Sequence, residues 1–149
     1  MRHVERSADL PVDPERAFAF LADLANLPTW QSGVTRAEQT TEGPIAVGST
    51  ARVTTQVMGQ SIDADLRVTE LDAPRRLVLA TEVSGMKVDA ILTLEPRDAG
   101  SRVTFGMDIA GGGLFGGAME GMVAGAAEGE LDASLTRLRT ALTQEDDDR

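Results

Sequence analysis

The stretch ARVTTQVMGQSIDADLRV, residues 51–68, reads as two strands folded back on a Met-Gly-Gln turn. Side chains on a strand alternate between its two faces. One parity carries Ala51, Val53, Thr55 and Val57, then Ile62, Ala64, Leu66 and Val68. The other carries Arg52, Asp63, Asp65 and Arg67. The same division continues downstream through Leu77, Leu79, Thr81 and Val83, then Val88, Ala90, Leu92 and Leu94, and finally Val103, Phe105, Met107 and Ile109. No residue of that set is charged, whereas Glu82, Asp89, Arg102 and Asp108 fall on the opposite side. The alternation predicts an antiparallel sheet with one dry and one wet face.

Upstream, HVERSADL (3–10) alternates Val4, Ala8 and Leu10 with polar residues and predicts a first strand. Asp13-Pro14 then predicts a helix start, because Asp caps free amides and Pro fits a first turn whose N–H would be unpaired anyway. The helix places Ala17, Phe18, Leu21 and Leu24 on one face, and Pro28 ends it or begins a short second turn before Trp30. Six strands are expected between Val34 and Ala110, separated by EGPIAVG, MGQ, LDAPR, SG and PRDAG. The dry face needs a cover, and the long element left is a C-terminal helix offering Leu131, Leu135, Leu138 and Leu142.

Between the last strand and those leucines lies GGGLFGGAMEGMVAGAAEGE (111–130). Gly111-x-Gly113-x-x-Gly116 matches the dinucleotide-binding pattern, but that fingerprint requires a second strand after the helix, with an acidic residue at its end. The helix runs on to the end of the sequence and no Lys-Ser/Thr follows the glycines, so the match is accidental. Gly113, Gly117, Gly121, Gly125 and Gly129 also recur every four residues, a slowly winding stripe on a helix. Each helical Gly costs about 1 kcal/mol relative to Ala. Three readings stand open: a loose linker before a late helix start, a close approach to the sheet or another subunit, or a hollow that holds a ligand. Glu120 and Glu128 interrupt the segment and argue against a membrane GxxxG dimer.

The 149 residues suit one domain, expected over 1–143, with 144–149 as an acidic disordered tail. The net charge of −10 disfavours nucleic acid and anionic membranes, which bind through clustered Lys and Arg. The opening residues lack the apolar core of a signal peptide and no run reaches about 20 apolar residues, so a cytoplasmic protein without membrane insertion is expected. With no cysteine and one histidine, no metal or cofactor site is expected.

The order of strand, two short helices, six strands and long helix resembles the START/Bet v 1-like (SRPBCC) superfamily, in particular its bacterial polyketide cyclase/dehydrase-like branch. The resemblance is carried by LPVDPERAFAFLADLANLPTW (10–30), VGSTARV (47–53), VTELDAPRRLVL (68–79), LEPRDAGSRVTF (94–105) and LDASLTRLRTAL (131–142). It implies an α+β helix-grip fold: a seven-stranded curved antiparallel sheet wrapped around a long C-terminal helix, with two short helices after the first strand. It also implies an apolar cavity between sheet and helix, used by members to bind lipids, sterols or polyketides, and by some to catalyse ring closure or dehydration.

Groups suited to catalysis are sparse. His3 stands at the start of the sequence, where a fraying strand holds a base poorly, and tyrosine is absent. Arg6 shares the parity of Val4 and Ala8, yet an arginine at a strand end ordinarily reaches back to water. Thr55 and Thr81 on the dry face could orient a ligand oxygen or simply fill the sheet, and Glu120 and Glu128 read as solvent-facing. No catalytic residue is assigned. Apolar groups are plentiful by contrast: Phe105, Met107, Phe115, Met119 and Met122 cluster where the last strand meets the helix, and methionine accommodates varied apolar shapes.

The expectation is therefore a binding module, monomeric or a homodimer, for a small hydrophobic molecule. Its expected lining is Trp30, Val53, Thr55, Leu66, Leu79, Thr81, Leu92, Phe105, Met107, Phe115, Met119 and Met122. Two alternatives are a cyclase/dehydrase-type enzyme using Arg6, Thr55 or Thr81 on carbonyl groups, and a protein-interaction or maturation module contacting its partner through the glycine stripe or an exposed Met patch.

Overall fold

The computed structural model describes residues 2–57, 59–83, 85–98, 100–111 and 116–147, and for 57, 83, 116–120, 123 and 144–147 the backbone alone. Strand β1 (Arg2–Leu10) is followed by α1 (Pro14–Ala22), a 3-10 turn (Leu24–Asn26) and α2 (Leu27–Trp30). Six strands follow: β2 (Val34–Gln39), β3 (Thr50–Val57), β4 (Gln60–Asp72), β5 (Arg76–Val83), β6 (Met86–Arg97) and β7 (Gly100–Gly111). Helix α3 (Gly116–Asp147) completes the chain. It continues four residues into the segment 144–149 that was expected to be a disordered tail.

The strands form one open sheet in the order β1-β7-β6-β5-β4-β3-β2, every neighbouring pair antiparallel. This is the α+β helix-grip fold expected from the sequence. Its register brings the uncharged parity onto one face: Val53 opposite Ala64, Leu66 opposite Thr81, Leu79 opposite Ala90, Leu92 opposite Phe105. Every residue of that parity whose side chain is described is buried or partly buried. Arg52, Asp63, Asp65, Arg67, Glu82, Asp89 and Arg102 lie on the other face, where solvent reaches them. Irregularities in pairing between Val34 and Arg36 and between Val68 and Glu70 place an extra residue on one strand, which bends a sheet locally.

Asp13 caps α1 as expected, its Oδ1 accepting from the Arg16 amide at 2.8 Å. Asp23 repeats the device for the 3-10 turn, accepting from the Ala25 amide at 3.2 Å. Pro28 falls in the first turn of α2, so it opens a second helix rather than merely closing the first. The C-terminal half of α3 buries Leu131, Leu135, Leu138 and Leu142. Two polar contacts tie it to the α2 region: Ser134 Oγ accepts from the Ser32 amide at 2.8 Å, and Arg137 Nη2 donates to the Pro28 carbonyl at 2.8 Å.

The glycine stripe separates into parts. Gly113 lies outside the described residues, and Gly117 is helical, so the helix does not start late. At Gly121 a methyl group would stand 3.4 Å from Arg2 Nη2, the mobile end of a long side chain. Around Gly125 and Gly129 nothing lies within 4 Å of that position. A spacing of four advances about 40° beyond a full turn at each step, so the stripe winds off the packed side of the helix into solvent. Gly125→Ala and Gly129→Ala should each stabilise the protein by about 1 kcal/mol. Together they should raise Tm by roughly 4–8 °C in thermal melts. Gly100→Ala should do the opposite, because Gly100 has φ 153 and a Cβ there would collide with the Leu10 carbonyl oxygen.

Candidate functional site: the dry face beside the C-terminal helix

Helix α3 does not lie along the middle of the sheet. It packs on β1 and β7 at one edge and on α2. Two arginines of β1 hold it there. Arg6, opposite Phe105, reaches Glu128 at 3.7 Å and Asp132 at 3.4 Å. Arg2 stands against Gly121. Glu128 and Asp132 are well exposed, so each pair contributes only a fraction of 1 kcal/mol, but both act on the same edge.

Because the helix is held to one side, part of the dry face stays open. Thr55, Ile62, Thr81, Val88, Ala90 and Met107 share the uncharged parity and are all partly exposed. The register joins them: Thr55 faces Ile62, Thr81 faces Val88, and Ala90 faces Met107. The inward positions of this part of α3 are the small Ala124 and Ala127, both buried. Trp30 closes the other end. It is 1% exposed, and its ring meets Phe105 edge-on at a centroid distance of 5.4 Å and an interplanar angle of 68°.

Of the expected lining, Val53, Leu66, Leu79, Leu92 and Phe105 are buried on this face as floor, and Thr55, Thr81 and Met107 are partly open. Met122 is 60% exposed on α3. Phe115 lies outside the described residues, as do the side chains of Met119 and Glu120. Solvent reaches each of the six residues of the strip in part. One hollow of about 290 Å³ does occur among the described residues, but on the wet face, lined by Arg52, Asp63, Ala64, Asp65 and Glu82. Its polar, charge-paired lining, with Arg52 Nε 3.6 Å from Asp65, suits water better than an apolar ligand.

The polar candidates are mostly engaged. Thr81 Oγ1 donates to the Asp65 carbonyl at 2.9 Å. Arg6 also donates to the Glu5 carbonyl at 2.8 Å. His3 does not sit in a fraying end: it pairs with Asp108 in the sheet, with Nδ1 2.6 Å from Asp108 Oδ1 and Nε2 3.3 Å from Glu5 Oε2. Hydrogen bonding to Asp108, then to Glu5, raises its pKa above 6.5. That cluster lies on the wet parity, on the opposite face of the sheet from the strip. Among the described residues no group of three or more His, Asp or Glu side chains is placed to hold a metal ion. Nor is any helix among them long and apolar enough to cross a membrane.

Sequence reasoning missed two groups. Glu130 on α3 is exposed as a residue, yet its carboxyl is partly screened, and burial raises its pKa above 4.5. Its Oε1 stands 3.4 Å from where a Cβ on Gly33 would be, a residue at φ 90 just before β2. The second is the Trp30 indole Nε1, which is buried and meets no acceptor among the described residues.

Comparison with known proteins agrees with this architecture. Residues 1–143 match the model of the family described as polyketide cyclase/dehydrase and lipid transport. The chain belongs to that family. Among solved structures, a START superfamily protein from Mycobacterium smegmatis superposes with a TM-score of 0.78 at 15% identity, covering 95% of this chain and 97% of the other. A protein from Thermus thermophilus gives 0.77 at 17%, covering 97% and 99%. The di-domain ARO/CYC BexL of the BE-7585A biosynthetic pathway gives 0.76 at 18%, with 94% of this chain matching 46% of that one. At these identities the likeness is one of fold. No curated protein matches the chain.

Two pH responses follow. The folded state raises the His3 pKa, so its pairing stabilises fully below about pH 6.5 and is lost as pH rises through the folded value. The melting temperature should therefore exceed that of His3→Gln at pH 5.5 and approach it by pH 8.5, with a difference below about 3 °C because the pair is exposed. Folding likewise raises the Glu130 pKa, so its ionisation costs stability above about pH 4.5. Glu130→Gln should melt higher than the parent at pH 7 and no higher at pH 4.

Proposed function

We propose that the protein binds a small hydrophobic molecule along the open dry-face strip, between β3–β7 and the small-residue half of α3. The observation that carries this reading is the uncharged, partly exposed set Thr55, Ile62, Thr81, Val88, Ala90 and Met107 on the dry face of β3–β7. Such apolar surface left beside a helix normally marks a binding site. A ligand burying about 300 Å² of apolar surface there gains about 7.5 kcal/mol before the cost of association, so affinities no tighter than the micromolar range are expected. Membership of a family described by both cyclase/dehydrase chemistry and lipid transport supports the same ligand class. BexL comes from a biosynthetic pathway, but two of the three groups this chain would use for such chemistry are committed elsewhere, Arg6 to carboxylates and Thr81 to a backbone carbonyl, which leaves Thr55. Binding is therefore the better-supported activity.

The test is a thermal-shift series with fatty acids, sterols and aromatic polyketides. A true ligand at 100 times its Kd stabilises by about 2.7 kcal/mol, a rise of roughly 5–10 °C. Ala90→Trp, which fills the strip, should abolish the rise, while Val47→Ser, at an exposed loop position, should leave it intact. An unchanged rise in Ala90→Trp would place the ligand elsewhere.

A further inference from the structure

A buried polar group lies near the strip. Trp30 is 1% exposed, and its Nε1–H finds no acceptor among the described residues. A buried indole N–H ordinarily has a partner, because leaving it unpaired forfeits its hydration with nothing in return. Packing alone would be served as well by phenylalanine, which carries no such donor. The location matters too. Trp30 meets Phe105 edge-on, and Phe105 lies two residues, about 7 Å, along β7 from Met107 of the open strip. The indole is also held in place: Ser32 and Pro28, on either side of it, are bonded to Ser134 and Arg137 of α3.

We propose that Trp30 Nε1–H is the hydrogen-bond donor that selects ligands for this site, taking an acceptor oxygen on the end of the molecule that lies against Phe105. The inference rests on the strip being the binding site. The oxygen is an uncharged carbonyl or ether rather than a carboxylate, because Arg6, opposite Phe105, is already engaged by Glu128 and Asp132, and Glu130 adds a further carboxyl on the same helix.

Fluorene and 9-fluorenone test it, since they share a shape and differ by a carbonyl. The parent protein should bind fluorenone about tenfold more tightly than fluorene, the size of one net hydrogen bond. Trp30→Phe should bind the two within about threefold of each other while retaining fluorene. A second readout needs no variant. Trp30 is the sole tryptophan, so a ¹⁵N-labelled sample gives one indole N–H resonance. That resonance should move downfield with fluorenone and much less with fluorene. Equal affinities in the parent, a preference that survives Trp30→Phe, or an indole resonance indifferent to the carbonyl would each overturn the donor role and leave the strip as an apolar site. Failure of both probes to bind the parent at all would overturn the donor role and the strip together.

Discussion

One helix cannot cover seven strands. At about 4.8 Å per strand the sheet is about 29 Å wide, whereas an α-helix with its side chains is about 10 Å across. The C-terminal half of α3 narrows the shortfall with leucines and with the help of α1, α2 and the turn between them, all of which bury apolar residues. The N-terminal half has no such help. Its described inward side chains are alanines, and the arginines of β1 hold it over β1 and β7. The uncovered remainder of the dry face is a consequence of that geometry, not a local defect in packing.

On β3–β7 the uncharged parity holds even where solvent reaches it; the charges that share this face, Arg2 and Arg6, are on β1. Thr55, Ile62, Thr81, Val88, Ala90 and Met107 each adjoin buried neighbours such as Val53, Ala64, Leu79, Leu92 and Phe105. A charge placed among them would be partly desolvated without a partner, which is costly. On the wet face, by contrast, Arg52 and Asp65 or Arg102 and Asp9 pair across strands at little cost or gain.

Much of this was legible in the sequence, and the reason is physical. Alternation along a strand depends only on backbone geometry, so counting parity assigned residues 51–109 to the correct faces without knowing the partners. Asp13-Pro14 was legible for a similar reason: a cap acts within four residues. What depended on the placement of α3 was not legible. The spacing of Gly113 to Gly129 looked like one device, yet Gly121 meets a neighbour while Gly125 and Gly129 do not, because the stripe leaves the packed side of the helix as it winds. Arg6 was ambiguous until Glu128 and Asp132 stood beside it. Met122 reads as a pocket methionine by type and is exposed in fact, since its position on α3 follows from where the helix rests.

Glu130 and Trp30 were passed over for opposite reasons, and together they show where the polar character of the site resides. Glu130 belongs to an acidic, outward-reading stretch, so nothing in its type announced that its carboxyl would be screened beside Gly33. Trp30 was expected to line the ligand as an aromatic surface, and its donor was counted as incidental. In the fold the threonine and arginine that looked suited to orient a ligand have partners, while the indole that looked merely apolar has none among the described residues. Hydrogen-bonding capacity left unspent inside a protein is a better guide to recognition than residue type, because a group already paired must break a bond before it can make another.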